Sequence, residues 1–493
     1  MNVLGEDVSR FRNAESLVGK FTLLHVLYLN FYLHSMANDF SSIIEKQHGY
    51  YQSGITRSYR FRNEQLSTLR SAIKKHEANI RDALHADLNK ALQEIYMTEV
   101  GPVLAELRFI KNHLKEWMRP RYVPGMIFSF PSRGKIYAEP YGTALIIAPW
   151  NYPFWLSVNP IIGAIAAGNC VILKPSEAAP HTAAALRKMF DENFTAEFIF
   201  VAEGGPEVSR QLIELPPDYI FFTGSTPIGK IVAQTAVKNF IPYTLELGGK
   251  SPCVIDESAN LKLAARRMMW GKTITAGQTC VAPDYLLVHK NVKDAFINEV
   301  KKTLDQFYPD GALSDEEYPR IINQKHFERL KNLMSDGKIL LGGKTDEAQL
   351  KMEPTLIDGV NYNLTIMKEE IFGPLLPVLS FNSVNEVIDT INHQPKPLSL
   401  YVFSNSRKFQ ERILQEVSYG GASVNDTIEH LGNSWLPFGG IGPSGMGAYH
   451  GKFSFNTFTH YKSVMKKATW IDLPFRYKPS TKIKGWVMRR FLR

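Results

Sequence analysis

The stretch DYIFFTGSTPIGKIV, residues 218–232, runs from an apolar segment through a Gly-Ser turn into a helix candidate. It contains G-x-x-x-x-G-K, the opening of a phosphate-cradling loop. A hydrolytic P-loop also needs Ser or Thr after the lysine to ligate Mg²⁺, and Ile231 has no hydroxyl. Nucleotide hydrolysis is therefore not the reading. Two others stand. An apolar strand, Tyr219 to Phe222, that enters a glycine turn and then a helix presents backbone N–H groups to a dinucleotide pyrophosphate. Alternatively this is an ordinary strand-to-helix turn, since Gly224 and Gly229 do not make the G-x-G-x-x-G fingerprint.

The neighbouring sequence repeats the same grammar. GTALIIAP (142–149), NCVILKPS (169–176) and EFIFVAEG (197–204) are short apolar runs, separated by helix candidates near 154–166, 179–190, 206–214 and 227–239. Strands that are apolar throughout and alternate with helices predict a parallel sheet covered on both faces. A ligand of such a sheet binds beyond the carboxyl ends of its strands, where Asn151, Lys174 and Ser225 fall. A second α/β unit follows. YTLELGGKSPCVID (243–256) leads into helical 260–272, a Gly-Gln-Thr-Cys turn, the strand 285–289 and a helix over 291–307. Strands at 374–381, 399–404 and 420–425 interleave with helices near 384–392 and 407–417. Upstream, Leu66, Leu69, Ile73, Ile80, Leu84 and Leu88 mark an amphipathic helix, and Glu99 to Trp117 continues in helical style before Pro120, Pro124, Gly125, Pro131 and Gly134 break it.

Length and composition agree with this plan. A chain of 493 residues exceeds what one core can hold, and 44% hydrophobic with 21% charged residues is the mixture of a folded protein. Three scattered cysteines argue against a disulfide framework and for a reducing compartment, so a cytoplasmic location is expected. No C-x-x-C or H-x-x-x-H spacing appears, and no metal is expected. The net charge of +9 sits in residues 461–493, which leaves the body neutral and without the basic face of a nucleic-acid reader. In the tail, residues 473–493, Ile483, Val487 and Phe491 recur at helical spacing opposite basic residues. This predicts either a helix lying on an anionic membrane, each surface cation contributing roughly 1 kcal/mol, or a solvated terminus. The apolar run 21–36 is interrupted by His25, Asn30 and His34, is too short to span a bilayer and lacks a cleavage signal.

Three side chains stand out for chemistry. Cys170 and Cys253 lie within apolar runs and read as small buried hydrophobes, whereas Cys280 in AGQTCVAPDY sits in a turn that can open a thiol to a cleft. Glu246 immediately precedes Gly-Gly and is either a carboxylate beside a ligand or a solvent-facing strand residue. The amide of Asn151, in PWNYP, is of the type that supports an oxyanion.

In combination, LELGGKSP (245–252), GQTCVAP (277–283), APWNYP (148–153), ILKPSE (172–177), FTGS (222–225) and EEIFGP (369–374) resemble the motifs of the aldehyde dehydrogenase superfamily, in the expected order from about Arg60 to Ser463. LPFGGIGPSGMGAYHGKFSFNTFTH (436–460) further resembles the class 3 branch, whose substrates are medium- and long-chain, aromatic or carotenoid-derived aldehydes.

The resemblance implies a Rossmann-like dinucleotide-binding domain (56–121 and 141–245), a catalytic α/β domain (246–445), oligomerisation segments at 122–140 and 446–466, an N-terminal extension (1–55) and a basic tail (467–493). Cys280 would be the nucleophile, Asn151 with the Cys280 backbone N–H the oxyanion site, and Glu246 the general base for thioester hydrolysis. Lys174 and Glu177 would hold the adenine ribose, and Gly224 and Ser225 the pyrophosphate. Glu370 beside Phe372 would take the nicotinamide ribose, with Trp150 also on the cofactor side. The resemblance leaves NAD or NADP open, since Glu177 suits ribose hydroxyls and Lys174 a 2′-phosphate. It also implies a homodimer; the tail lies outside the motifs, and its contact with the inner face of a membrane is expected from its charge and apolar spacing alone. A CoA-acylating enzyme has no need of Glu246. A non-catalytic membrane-attached binding protein has no need to keep Asn151, Glu246 and Cys280 together.

Overall fold

The computed structural model describes residues 40–125, 129–474 and 477–491. Residues 1–39, including the apolar run 21–36, lie outside that range, as do two residues near the start of the tail and its last two. Among the described residues the chain forms a six-stranded sheet, a seven-stranded sheet, a three-stranded sheet and a two-stranded ribbon.

The six-stranded sheet contains the opening stretch. Tyr219–Thr223 lies between Thr143–Ile147 and Tyr243–Glu246, with Cys170–Lys174 and Ile199–Val201 beyond. These five strands run parallel, and Gly445–Met446 joins the far edge antiparallel to Tyr243–Glu246. The strands are apolar throughout because both faces are covered: Thr143–Ile147 and Cys170–Lys174 are buried at every residue. One cover is the helix Trp155–Ala167, also buried along its whole length and wedged against Tyr59–Leu88 and Gly101–Trp117. The predicted apolar stripe from Leu66 to Leu88 faces this core, and Ser58 caps its helix by accepting from the Phe61 N–H.

The second sheet has the order Lys338–Leu341, Thr355–Asp358, Leu375–Phe381, Tyr285–His289, Pro252–Ile255, Ser399–Phe403, Gly421–Val424. It is parallel except for its first member. The run 243–256, expected to act as one lead into the second unit, is split between the sheets. Glu246 ends a strand of the first and Pro252 begins a strand of the second, so the crossing falls on the glycine pair between them. The third sheet pairs Ser132–Pro140 with Arg121–Pro124 on one side and Thr459–Lys467 on the other.

Three features depart from the sequence expectation. Residues 40–52 are helical and pack into the six-stranded core through Phe40, Ile43 and Ile44, while buried Gln47 donates to the carbonyls of Val171 and Ala196. The expected extension 1–55 thus includes a helix that belongs to the body. Helix Gln324–Met334 was not anticipated, although Phe327, Leu330 and Leu333 bury at helical spacing. The helical stretch at Glu99–Trp117 begins with a π-helical turn, Tyr96–Val100, closed by the Gly101 N–H on the Tyr96 carbonyl.

Candidate active site

Where the two sheets meet, a cavity of about 660 Å³ is lined by Trp150, Asn151, Gly224, Ser225 and Glu246 from the first sheet's strand ends. Cys280, Glu370 and Phe372 close it from the second unit. A more open groove of about 850 Å³ between helix Gly101–Trp117 and residues 423–435 contains none of these side chains. Chemistry, not size, marks the smaller cavity as the site. Lys174 and Glu177 do not line it. They stand at the end of the adjacent strand, where the Lys174 ammonium donates to Glu177 Oε2 at 2.7 Å and to the Pro175 carbonyl.

Cys280 follows a tight turn in which Thr275 and Ala276 adopt left-handed backbone with φ 51° each, conformations that β-carbon-bearing residues take only when their surroundings enforce them. Gln278 enforces part of it: its side chain donates to the carbonyls of Thr275 and Arg320 and accepts from the Ile322 N–H. Cys280 is a partly exposed residue that lines the cavity, whereas Cys170 and Cys253 are buried. Burial pushes the Cys280 pKa well up, and the carboxylates of Glu370 and Glu246 push it further. The backbone N–H groups of Cys280 and Val281 act in the opposite direction. Burial and the neighbouring carboxyl groups thus both favour the protonated thiol. Asn151 is buried, and its amide donates to the Gln278 carbonyl at 2.9 Å.

Glu246 is not solvent-facing: it is 3% exposed, and neither carboxylate oxygen has a hydrogen-bond partner. Burial alone holds its pKa well above the usual carboxylate range. Such a group is costly unless something absent from the resting protein completes it. Glu370 repeats the pattern. Its residue is partly exposed, but Oε1 is buried without a partner, and burial followed by repulsion from Asp284 pushes the carboxyl up to about 8. Its carboxylate occupies the place a side chain on Gly248 would take, since a β-carbon there would meet Oε2 at 1.9 Å. The Glu370 loop is fastened from behind by Arg329, which donates to the carbonyls of Glu370 and Ile371, and by Asp284, which accepts from the Ile371 N–H.

The dinucleotide fit can be judged from these residues. Helix Thr226–Lys238 begins at Ser225 with no side-chain cap, so its first N–H groups face the cavity mouth without an internal partner. Together with the partnerless Glu246 carboxylate and Glu370 Oε1, this is a donor and acceptor set suited to a pyrophosphate and hydroxylated riboses. Sequence reasoning missed His326 and Arg329, which line the cavity from the unanticipated helix; the ring of His326 sits 5.1 Å from that of Trp150. Among the described residues no group of three His, Cys, Asp or Glu side chains is placed to hold a metal ion.

Two α/β sheets with a turn-borne cysteine, a buried carboxylate and a nucleotide-type strand end at their junction define a class, the dinucleotide-dependent oxidoreductases that work through a thiol. The chain belongs to the aldehyde dehydrogenase family, whose sequence profile matches residues 34–464. It is 49% identical over 419 residues to the 4,4′-diaponeurosporen-aldehyde dehydrogenase of Staphylococcus aureus, covering 85% of this chain and 91% of that one. With aldehyde dehydrogenase family 3 member A2 of Rattus norvegicus it shares 42% identity over 436 residues, 88% of this chain and 90% of the relative. The substrate-bound structure of Staphylococcus aureus AldH superposes with a TM-score of 0.90 at 46% identity, over 92% of this chain and 99% of that one. The family match begins before Phe40, which explains why the helix over 40–52 packs as part of the body. The activity is the NAD- or NADP-dependent oxidation of an aldehyde.

Proposed function

We propose that the chain oxidises a hydrophobic aldehyde to its carboxylic acid through a covalent intermediate on Cys280. The observation that carries this reading is the convergence of Asn151, Glu246 and Cys280 on one cavity, with both Glu246 oxygens free of protein partners. The turn at Gly224 and Ser225 would hold the pyrophosphate, Glu370 the ribose next to the nicotinamide, and Lys174 with Glu177 the adenine ribose. Trp150 and Phe372, in edge-to-face contact at 5.3 Å, wall the ring side. When bound, the oxidised nicotinamide supplies a hydride acceptor.

Cys280 gives up its proton to water, and its sulfur adds to the carbonyl carbon as the C=O π bond opens onto oxygen, giving a thiohemiacetal oxyanion. The Asn151 amide and the Cys280 N–H hold the oxyanion, each donor contributing about 3 kcal/mol in a dry site. Loss of the aldehyde hydrogen with its electron pair leaves a thioester. Glu246 then takes a proton from water as its oxygen attacks the thioester carbon; the C–S bond breaks, and the acid departs as the thiol is restored. Replacing Glu246 by Gln should leave one burst of reduced nicotinamide per site and abolish steady turnover. Undiminished turnover would remove Glu246 from its role, and turnover restored only by CoA would favour the acylating reading.

The apolar side chains of Leu156, Leu431 and Phe438 on the cavity wall support a hydrophobic substrate, as does the 4,4′-diaponeurosporen-aldehyde in the name of the Staphylococcus aureus relative. We assign 40–121 with 141–247 to the nucleotide domain, 250–444 to the catalytic domain, and 122–140 with 446–466 to a homodimer interface. In the tail, helix Lys482–Phe491 exposes Ile483 and Trp486 beside Arg489 and Arg490. This supports peripheral contact with an anionic membrane from the cytoplasmic side. Among the described residues no helix is long and apolar enough to cross a membrane.

A further inference from the structure

Behind the cavity wall lies an ion pair that the reaction above does not use. The side chains of Lys90 and Glu99 are both 0% exposed and meet at 2.6 Å. Two charges taken fully out of water are expensive, and such pairs are weak contributors to stability compared with apolar residues of the same size. Their other contacts are more telling. The Lys90 ammonium donates to the Asn151 backbone carbonyl at 3.0 Å and lies 4.1 Å from the centre of the Tyr152 ring. Glu99 Oε2 accepts from the Trp155 N–H at 2.9 Å, at the start of helix Trp155–Ala167, which has no side-chain cap of its own. Lys90 and Glu99 thus grip the turn carrying Asn151 at its backbone carbonyl and at its exit into the helix.

The same polypeptide segment grips the opposite wall. Glu94 Oε1 accepts from both the N–H and the hydroxyl of Thr275, at 2.8 and 3.0 Å, and Thr275 opens the left-handed turn that presents Cys280. Tyr152 and Thr279 close the ring with a 2.6 Å hydroxyl contact. Glu94 and Glu99 are five residues apart and the helix between them is π-helical, a geometry that brings side chains at that spacing onto one side.

We propose that Lys90, Glu94 and Glu99 are positioning residues that hold the Asn151 turn and the Cys280 turn at a fixed separation, so that the oxyanion donors and the sulfur stay in register. This rests on the roles assigned above to Asn151 and Cys280. The double variant Lys90→Met/Glu99→Gln removes both charges, keeps an acceptor for the Trp155 N–H and leaves the Asn151 carbonyl without its ammonium. It is expected to melt close to the parent and to bind NADH with parental affinity. Its kcat should nonetheless fall on the order of 100-fold with little change in KM, the penalty typical of a small misplacement at a reacting centre. A parental kcat in the folded double variant overturns the proposal, as does an NADH affinity that falls in step with kcat. In Glu94→Met, alkylation of Cys280 by iodoacetamide, followed by peptide mass, should slow several-fold while NADH still binds. An unchanged alkylation rate overturns the Cys280 arm, and this variant tests the idea even if the double variant does not fold. Asn151→Ala separates the two levels: retention of parental kcat would discard the oxyanion assignment itself, whereas loss of kcat there with none in the double variant discards only the positioning role.

Discussion

Single residues show how burial sets the chemistry. Burial raises the Glu246 pKa well above the ordinary carboxylate range, so rising pH favours the form that can act as a base. Hydrolysis of the thioester should therefore accelerate with rising pH, as stopped-flow measurement of reduced nicotinamide after the first burst would reveal. Glu370 has a consequence for stability. In the folded protein it keeps its proton up to about 8, whereas the unfolded chain releases it near 4.5. Its contribution is complete below the unfolded value and is lost as pH climbs through the folded one, so the free enzyme should melt at lower temperature as pH rises across that window. Glu370→Gln should flatten the slope in a calorimetric series. Cys280, Glu246 and Asn151 were legible because each sits in a short motif beside a turn. Lys90, Glu94 and Glu99 were not, because a charged residue in a helical stretch looks the same whether it faces water or a partner distant in sequence.

At the scale of elements, the π-helical turn was hidden for a related reason: hydrophobic spacing reports a helix but not one additional residue in a single turn. Its geometry depends on Gly101, where an added β-carbon would meet the Tyr96 carbonyl oxygen at 2.7 Å. Gly101→Ala should therefore force the turn to shift, at a cost of about 1–3 kcal/mol, and should lower kcat more than stability alone explains; thermal melts and kinetics on the same sample would separate the two. Most strands of both sheets, in contrast, were legible to within a few residues, although Thr355–Asp358 and Gly445–Met446 went unread. Double-sided burial leaves uninterrupted apolar runs such as Cys170–Lys174 and Ser399–Phe403. The exposed edge strand Lys338–Leu341 carries no such run and went unread.

For the whole molecule, sequence pattern supplied two α/β units in order but not their contact, which depends on side chains far apart along the chain. The three-stranded sheet leaves Tyr122, Tyr461, Val464 and Met465 exposed, a surface suited to a second copy. Light scattering should find a dimer, and Val464→Asp with Met465→Asp should yield monomers. Removal of residues 473–493 should release the protein from phosphatidylserine vesicles while sparing oxidation of short soluble aldehydes; unaltered vesicle binding would count against the tail. The return of Gly445–Met446 to pair with Leu245 and Glu246 has a temporal meaning as well. During synthesis the ribosome must deliver the entire second sheet before the strand bearing Glu246 acquires its last neighbour. Nascent chains halted short of that point can build much of the scaffold, yet the carboxylate at its rim would lack the edge that encloses it, so competence should arrive late and all at once.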